Sequence, residues 1–165
     1  MTVKIRSATQ KDVASYRQCI DAIAKERRYF FEYEASPLAE FRALIRETLR
    51  KKAPFLIAVD GERVVGFASV LLYGLPSLSH NARIGIGILP EYRDIGLGTK
   101  LTAGVLKMAR GKFDFLFLEV FAKNKRARKL YMNLGFEVCG RIKKNVKGLV
   151  YGYDDVVLMQ KQMRR

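Results

Sequence analysis

The sequence has little of what metal sites in proteins need. It contains two cysteines and one histidine among its 165 residues. Cys19 and Cys139 stand alone, without a C-x-x-C spacing and without a nearby histidine that would complete a zinc site. The single histidine, His80, lies in a polar stretch that is typical of a surface loop. We therefore expect two buried free thiols and no bound metal.

Long apolar runs are also missing. None approaches the roughly 20 residues that a helix needs to cross a bilayer. Residues 1–6 lack the apolar core of a signal peptide, so we expect a cytoplasmic protein without a membrane partner. Apolar residues make up 49% and charged residues 28% of the chain, the balance of a globular protein. Because 165 residues suffice for one core, we expect a single domain over residues 1–165.

Acidic residues are scarce. The chain has 16 Asp and Glu against 31 Lys and Arg, a net charge of +15. The basic residues concentrate in 123–129, 141–147 and 161–165. Such a field attracts polyanions, among which nucleic acid, a phosphate-rich cofactor and an acidic protein surface fit equally well. The charge excess is also compatible with an unusual host proteome and no polyanionic partner.

Hydrophobic periodicity predicts a mixed α/β chain of about seven strands and four helices. Helix start signals are a capping box at Thr9 and Asp12 and a Ser36 hydroxyl before Pro37. Asp60-Gly61 predicts a hairpin turn, and Gly135 is expected just past the last helix. The predicted order is strand 3–6, helix 9–27, helix 37–50, strands 55–59, 64–72 and 83–89, helix 99–110, strand 115–121, helix 124–134, and strands 136–146 and 150–159.

A glycine loop joins the strand 83–89 to the helix 99–110. Arg93, Gly96, Gly98 and the amide of Thr99 suggest a phosphate-binding turn, because glycines let the main chain approach a ligand at a helix N-terminus. A P-loop fits poorly, since Thr99 precedes a lysine instead of following it. A Rossmann fingerprint would need glycine or alanine where Leu101 stands. A plain structural turn remains the alternative.

Two segments together resemble a known family. Residues 90–99, Pro-Glu-Tyr-Arg-Asp-Ile-Gly-Leu-Gly-Thr, resemble the acetyl-coenzyme A loop of the GNAT N-acetyltransferases. About 25 residues later, the pattern Asn124-x-x-Ala127-x-x-Leu130-Tyr131-x-x-x-Gly135-Phe136 looks like that family's second signature. The predicted order of elements also resembles the GNAT fold. The resemblance covers nearly the whole chain and is weakest before about residue 54.

The resemblance implies an α/β GNAT fold that binds acetyl-coenzyme A (acetyl-CoA) as acyl donor. Its pantetheine arm would lie along the strand ending at residues 86–89, and that strand and the strand 115–121 would splay apart. A β-bulge at Gly85 and Gly87 would assist this separation. Homodimers are common in such proteins. The implied cofactor-binding residues are Ile86, Gly87, Ile88, Arg93, Asp94, Ile95, Gly96, Leu97, Gly98, Thr99, Asn124 and Tyr131.

The resemblance also implies catalytic roles. Tyr131 would direct its phenol at the coenzyme A sulfur and protonate the leaving thiolate or donate a hydrogen bond to it; the alternative is that it only packs. Glu119 is our candidate base, because an amine must lose a proton before it attacks. Its position 12 residues before Tyr131 looks like that of the base in members that acetylate protein N-termini. Apolar neighbours would favour its uncharged form. A salt bridge to a lysine, or a water acting as base, remains the alternative.

The acceptor is left open. A positive field should slow a polycationic polyamine, so we rank a peptide or protein α-amine, or a small amino-acid amine, above spermidine. Glu32, Tyr33 and Glu34 lie where the substrate wall forms in the resembling family. A second class of hypothesis is a nucleic-acid-binding or ribosome-associated protein on the same fold, supported by the basic run 123–129. Its mark would be salt-sensitive RNA binding without coenzyme A affinity.

Overall fold

The computed structural model describes residues 2–148, 150 and 152–163. Tyr151, within the predicted last strand, and Arg164 and Arg165, in the basic terminal run, lie outside the described residues. In the described part, seven strands and four helices confirm the predicted α/β class. Their bounds are β1 (Val3–Ser7), α1 (Val13–Lys25), α2 (Leu38–Arg50), β2 (Phe55–Asp60), β3 (Arg63–Leu72), β4 (Asn81–Ile88), α3 (Leu97–Ala109), β5 (Phe115–Phe121), α4 (Lys125–Asn133), β6 (Glu137–Gly148) and β7 (Gly152–Gln162).

The strands form one sheet in the order β1-β2-β3-β4-β5-β7-β6. All neighbours are antiparallel except β4 and β5, which are parallel and pair only through Asn81–Arg83 and Phe115–Phe117. Beyond these three residue pairs the two strands separate. The predicted splay is therefore confirmed, and it opens at the carboxyl ends of β4 and β5.

The β-bulge predicted at Gly85 and Gly87 is wrong. The register between β3 and β4 runs without a shift from Gly66 opposite Ile88 to Leu72 opposite Ala82. Packing requires a glycine at position 87 instead, since an added Cβ on Gly87 would lie 2.5 Å from Phe67 Cε1 and 2.9 Å from Ile23 Cδ1. Glycine at this position lets α1 lie close on the sheet.

Helices cover both faces of the sheet and bury its apolar side chains. On one face, Tyr16 of α1 packs edge-on against Phe41 of α2 at 5.6 Å, Phe55 of β2 at 5.1 Å and Phe67 of β3 at 5.0 Å. On the other face, α3 buries Leu101 and Val105 completely. Each such side chain contributes roughly 1.5–3 kcal/mol to folding. The central strands are therefore buried between two helical layers.

Helix boundaries differ from the prediction at both ends of α1 and at the starts of α2 and α3, where α3 begins at Leu97. The capping box is present, with Asp12 Oδ2 accepting from Thr9 N at 2.8 Å, but it opens a 3-10 turn, Gln10–Asp12, that leads into α1. Helix α1 ends at Lys25, before Arg27 adopts a φ of 54°. The Ser36 cap is wrong, because Pro37 occupies the N-cap of α2 without a side-chain bond. The Ser36 carbonyl instead accepts from Arg17 Nε at 2.7 Å.

The two cysteines have different surroundings. Cys19 is buried in α1, and burial raises the pKa of its thiol to about 12. Cys139 is exposed, so its predicted burial is wrong. It lies in β6, at the end of the strand order, where the register with β7 shifts between Val138 and Gly140. An apolar strand pattern does not distinguish a central strand from an edge strand.

Candidate active site

A cavity of about 450 Å³ opens beside the split between β4 and β5. Its walls come from the end of β4, the loop before α3, the first turn of α3, the end of α1 with the residues after it, and α4. The lining residues are Ile23, Glu26, Arg28, Tyr29, Phe30, Ile86, Gly87, Ile88, Arg93, Asp94, Gly96, Leu97, Gly98, Thr99, Asn124, Arg126, Ala127, Leu130 and Tyr131.

The cavity brings together most residues predicted for the cofactor site. Eleven of those twelve positions line it. The exception is Ile95, which is 60% exposed. The two sequence signatures, separated by about 25 residues, therefore lie on facing walls of one space.

The N-terminus of α3 forms the wall best suited to an anion. Gly96 is its N-cap with a φ of 77°, and the first helical hydrogen bond runs from Lys100 N to Gly96 O at 3.1 Å. The amides of Leu97, Gly98 and Thr99 have no acceptor within the helix, as in any first turn. These N–H groups and the helix dipole together favour a negatively charged ligand.

Gly98 permits close packing at this wall. An added Cβ would lie 2.9 Å from Leu130 Cδ1 of α4 and 3.2 Å from Ile88 Cδ1 of β4. The sequence interpretation assigned this glycine to close approach of a phosphate. The structure adds a second reason, since α3 can contact α4 and β4 here only without a side chain.

The guanidinium nitrogens of Arg93 all bond to other groups of the protein. Its Nη1 donates to Glu26 Oε2 at 2.8 Å, its Nη2 contacts Glu26 Oε1, and its Nε donates to Ile88 O at 2.9 Å. The guanidinium thus joins the loop before α3 to the end of α1 and to β4. Sequence reasoning missed Glu26, because a single glutamate at a helix end carries no motif.

Helix α4 contributes the opposite wall. Asn124 caps it, with Oδ1 accepting from Ala127 N at 3.1 Å. Arg126 Nη1 lies 3.0 Å from Asp94 Oδ2, an ion pair that connects α4 to the loop before α3. This cap could have been predicted from the sequence, since Asn is a preferred N-cap residue.

Tyr131 is buried on this wall, with 6% of its surface exposed. Its ring packs edge-on against Phe136 with centroids 5.8 Å apart. Burial raises the pKa of its phenol far above the ordinary value near 10. The hydroxyl therefore stays protonated and able to donate at any physiological pH.

Glu119 lies outside the cavity lining. Its side chain is 34% exposed, and Oε1 is 3.0 Å from Arg83 Nη2. Its neighbours Leu118 and Val120 project to the opposite face of the sheet, as alternate strand residues do, so Phe117 and Phe121 are the β5 residues that share the face of Glu119. The ion pair that the sequence analysis kept as an alternative is present, with an arginine as partner instead of a lysine.

The segment after α1 crosses the opening. Phe31 packs against Phe121 of β5 with centroids 5.1 Å apart, and Tyr33 Oη donates to Lys147 O of β6 at 2.5 Å. Glu32 and Glu34, predicted in the substrate wall, are exposed beside Tyr33. This segment, residues 26–37, therefore borders the split on the α1 face of the sheet.

The single histidine does not line the cavity. His80 lies exposed in a loop, as predicted, with Nε2 3.0 Å from Asn81 Nδ2. Residues 2–148, 150 and 152–163 contain no group of three or more His, Cys, Asp or Glu side chains that would hold a metal ion. None of the helices described in the structure is long and apolar enough to cross a membrane.

The acetyltransferase (GNAT) family model matches residues 20–136. The chain belongs to the GNAT family of acetyltransferases. An N-alpha-acetyltransferase from Sulfurisphaera tokodaii is 30% identical over 162 residues, covering 92% of this chain and 86% of that protein. A spermidine N(1)-acetyltransferase from Escherichia coli K12 is 29% identical over 147 residues, covering 86% of this chain and 76% of that protein.

A solved structure has the same fold as this GNAT acetyltransferase. The protein yncA from Salmonella typhimurium, solved with its cofactor acetyl-CoA, superposes with a TM-score of 0.89 at 19% identity and covers 100% of this chain and 96% of that one. The GNAT fold predicted from the two signatures is thereby confirmed. The matched span, residues 20–136, includes every wall of the cavity, from Ile23 to Tyr131.

Proposed function

We propose that this acetyltransferase binds acetyl-CoA in the cavity and transfers the acetyl group to a primary amine. The acceptor is the α-amine of a peptide or protein N-terminus, or the amine of a small amino acid. The observation that carries the proposal is the split sheet. The cavity is lined by residues 86–88 of β4, which lie past the last residue pair between β4 and β5, and by the N-terminus of α3 and the buried Tyr131.

The residues present fit acetyl-CoA. The free amides at the N-terminus of α3 suit its pyrophosphate, and the basic residues of α4 suit its remaining phosphate. Residues 84–88 of β4 have no strand partner on the β5 side, so their backbone groups are available to the amides of a pantetheine arm. The cavity volume of about 450 Å³ lies within the usual range for small-ligand sites.

Tyr131 is the residue we assign to the leaving group. Acetyl-CoA supplies a thioester whose sulfur leaves as a thiolate and needs a proton. The phenol of Tyr131 is buried in the cavity wall and stays protonated, so it donates its proton to the sulfur as the tetrahedral intermediate collapses. Asn124 and the other lining residues of the two signatures hold the donor in place, and Arg93 positions the loop before α3 through Glu26 and Ile88.

Glu119 is the residue we assign to the amine. It lies on β5 just past the point of separation, where an acceptor reaching the split meets a carboxylate. The ammonium group of the acceptor must lose a proton before its nitrogen attacks, and Glu119 accepts that proton directly or through a water. The segment 26–37 and the β6–β7 hairpin then form the outer walls for the acceptor.

Two acceptor classes have support from relatives. The N-alpha-acetyltransferase from Sulfurisphaera tokodaii favours an α-amine, and the spermidine N(1)-acetyltransferase favours a polyamine. The net charge of +15 slows the approach of a polycation. We therefore place the α-amine first and keep the polyamine as the second candidate.

The first experiment is calorimetric titration with acetyl-CoA and with free coenzyme A. Micromolar binding supports the donor assignment, and a thiol-release screen of amino acids, peptides with free N-termini and spermidine then identifies the acceptor. Absence of binding to both ligands would overturn the proposal. RNA binding that weakens steeply with salt would then replace it with the nucleic-acid hypothesis.

A further inference from the structure

An ion pair lies at the point where β4 and β5 separate. Arg83 and Phe117 form the last residue pair between the two strands. Arg83 Nη2 is 3.0 Å from Oε1 of Glu119, which is two residues further along β5. Among the described residues, Glu119 is the one carboxylate within ion-pair distance of Arg83. A cation and an anion thus lie side by side where an acceptor would meet the acetyl group.

Both side chains of the pair lie on the face of the sheet that α1 covers. Side chains alternate between the faces of a strand, so Arg83 shares its face with Gly87, where an added Cβ would contact Ile23 of α1. Glu119 shares its face with Phe121, against which Phe31 packs. The segment 26–37, which borders this face, is therefore beside the ion pair.

Gly85 leaves the surface beside Arg83 free, whereas Phe67 of β3 and Ile23 of α1 pack directly over Gly87. Gly85 and Gly87 are the next two residues on the same face of β4, at intervals of about 7 Å. At Gly85 an added Cβ would find its nearest neighbours, Leu71 and Ser69, only at 3.9 Å. Gly87 itself lines the cavity. A small acceptor can therefore lie over Gly85 with its carboxylate at Arg83, and the packing of α1 over Gly87 limits how far it extends along β4.

We infer that the acceptor is an amino acid whose carboxylate lies close to the reacting amine, and that Arg83 binds this carboxylate. The inference rests on the proposed function and narrows its acceptor class. The zwitterion is complementary to the ion pair, because it offers a carboxylate to Arg83 and an ammonium to Glu119. An acceptor without a carboxylate, such as a polyamine, brings a second cation to Arg83 and is disfavoured.

When the acceptor binds, its carboxylate replaces Glu119 as the partner of Arg83. The side chains of Arg83 and Glu119 are 42% and 34% exposed, and ion pairs with this exposure contribute little to stability, so the pair opens readily. A guanidinium binds a carboxylate through two parallel N–H bonds, which fixes the orientation of the acceptor. Glu119 Oε1, released from Arg83, is then free to accept a proton from the ammonium.

The group transfer balances with the residues named. The ammonium gives one proton to Glu119, and the neutral nitrogen forms a bond to the thioester carbon. The tetrahedral intermediate collapses with cleavage of the C–S bond, and the electron pair stays on sulfur, which takes the Tyr131 proton. The nitrogen loses its second proton, which restores the Tyr131 phenol through solvent. The products are the N-acetyl amino acid, free coenzyme A and one proton, which Glu119 releases.

The test compares amino acids with their C-terminal amides, which keep the amine and lack the carboxylate. Thiol release is measured at saturating acetyl-CoA for the wild type, Arg83→Gln and Arg83→Lys. We expect kcat/KM of the wild type to be at least about tenfold higher for the best amino acid than for its amide. In Arg83→Gln this ratio should fall below about threefold, mainly through a higher KM for the acid, and Arg83→Lys should lie between.

Two dipeptide amides test whether the carboxylate that Arg83 binds belongs to a free amino acid or to a side chain of a peptide. The dipeptide amides Asp-Ala-NH2 and Ala-Ala-NH2 both have a free α-amine, and only the first has a carboxylate near it. We expect both to be poorer acceptors than the free amino acid. If Asp-Ala-NH2 is the better acceptor and loses its advantage in Arg83→Gln, the carboxylate-binding role stands but the free amino acid is overturned as its source.

Arg50→Gln is the matched control. Arg50 forms an exposed ion pair with Glu47 on α2 at 2.8 Å, away from the split, so this variant should keep the wild-type ratio.

Equal rates for acids and amides, a preference for spermidine, or an unchanged ratio in folded Arg83→Gln would overturn the inference and leave the acetyltransferase proposal standing. If Arg83→Gln fails to fold, the wild-type ratio and Arg83→Lys decide. Acetyl-CoA binding without turnover of any amine would overturn both.

Discussion

Arg93 binds both carboxylate oxygens of Glu26, and this pair joins the loop before α3 to the end of α1. The same guanidinium donates through Nε to Ile88 O at 2.9 Å, so it also holds the end of β4. The two side chains are 28% and 21% exposed. One arginine thus fixes the relative positions of three walls of the cavity, which makes its partner Glu26 a positioning residue.

Glu26→Gln should loosen this junction. The substitution keeps the shape of the side chain and removes its charge, so Arg93 loses a charge-assisted, two-bond partner. We expect acetyl-CoA to bind about 3- to 10-fold more weakly and the free energy of unfolding to fall by about 1–2 kcal/mol. Calorimetric titration gives the first quantity and urea unfolding gives the second.

Glu47→Gln is the control for this change. Glu47 makes an ion pair with Arg50 on the exposed side of α2, and we expect neither affinity nor stability to change measurably. Wild-type affinity in Glu26→Gln would mean that the loop keeps its position without this partner.

Gly98→Val should damage the cofactor site through packing. The added side chain would meet Leu130 Cδ1 at 2.9 Å and Ile88 Cδ1 at 3.2 Å from its Cβ alone. Forcing α3 away from α4 and β4 costs about 1–3 kcal/mol of stability, and we expect acetyl-CoA affinity to fall by about tenfold or more. Thermal unfolding and calorimetry measure the two effects.

Gly74→Val serves as the comparison, because an added Cβ at Gly74 meets nothing within 4 Å. It should leave both quantities near their wild-type values. An equal loss in the two valine variants would show that the tight contact at Gly98 is not the cause.

Tyr131→Phe should separate chemistry from binding. The ring can keep its packing against Phe136, so we expect acetyl-CoA affinity and stability to stay within about twofold and about 0.5 kcal/mol of the wild type. Loss of the proton donor should lower kcat by about 10²-fold. Steady-state kinetics and calorimetry on the same preparation test this. An unchanged kcat would reduce Tyr131 to a packing residue.

The raised pKa of the Tyr131 phenol also predicts a pH profile. Burial disfavours the phenolate, and the donor must be protonated to act. Raising the pH through the ordinary tyrosine value of about 10 should therefore not lower kcat through this group. A fall in kcat near pH 9, present in the wild type and absent in Tyr131→Phe, would contradict it.

Glu119→Gln tests the candidate base. The side chain lies outside the cavity lining, so acetyl-CoA affinity should not change. Loss of the proton acceptor should lower kcat by about 10²-fold or more. If kcat is unchanged, a water acts as proton acceptor without this carboxylate, and the role assigned to Glu119 is wrong.

Asp12 should make stability depend on pH. Hydrogen bonds from Arg6, at 2.8 and 2.6 Å, lower the pKa of the Asp12 carboxyl to about 2. Because its folded-state pKa lies below the ordinary value near 3.9, the stabilisation is present above about pH 4 and is lost as the pH falls towards 2. We expect this contribution to be about 1–2 kcal/mol.

Asp12→Asn removes the titrating group and provides the comparison. Urea unfolding at several pH values between 7 and 2.5 should show a stability difference between wild type and variant that is largest at neutral pH and shrinks in acid. A difference that stays constant over this range would mean that the effect of Asp12 is packing or capping alone.

The predictions from sequence were best where the signal is local. The strand Phe115–Phe121 has the predicted bounds. Gly135 follows α4 with a φ of 82°, as its C-terminal signal indicates. These features depend on backbone preferences and apolar patterns of a few neighbouring residues. The predictions were wrong where residues distant in sequence determine the local structure. The Ser36 carbonyl accepts a hydrogen bond from Arg17, and the position of β6 at the edge of the sheet leaves Cys139 exposed.

The order of elements, the two signatures and the surplus of positive charge could be read from the chain, because each is a property of near neighbours or of composition. The pairing of Glu26 with Arg93 and that of Arg83 with Glu119 became visible in the folded molecule. Glu26 is far from Arg93 in sequence, and Arg83 is far from Glu119. Such contacts depend on how strands and helices pack, and no periodicity along the chain encodes them.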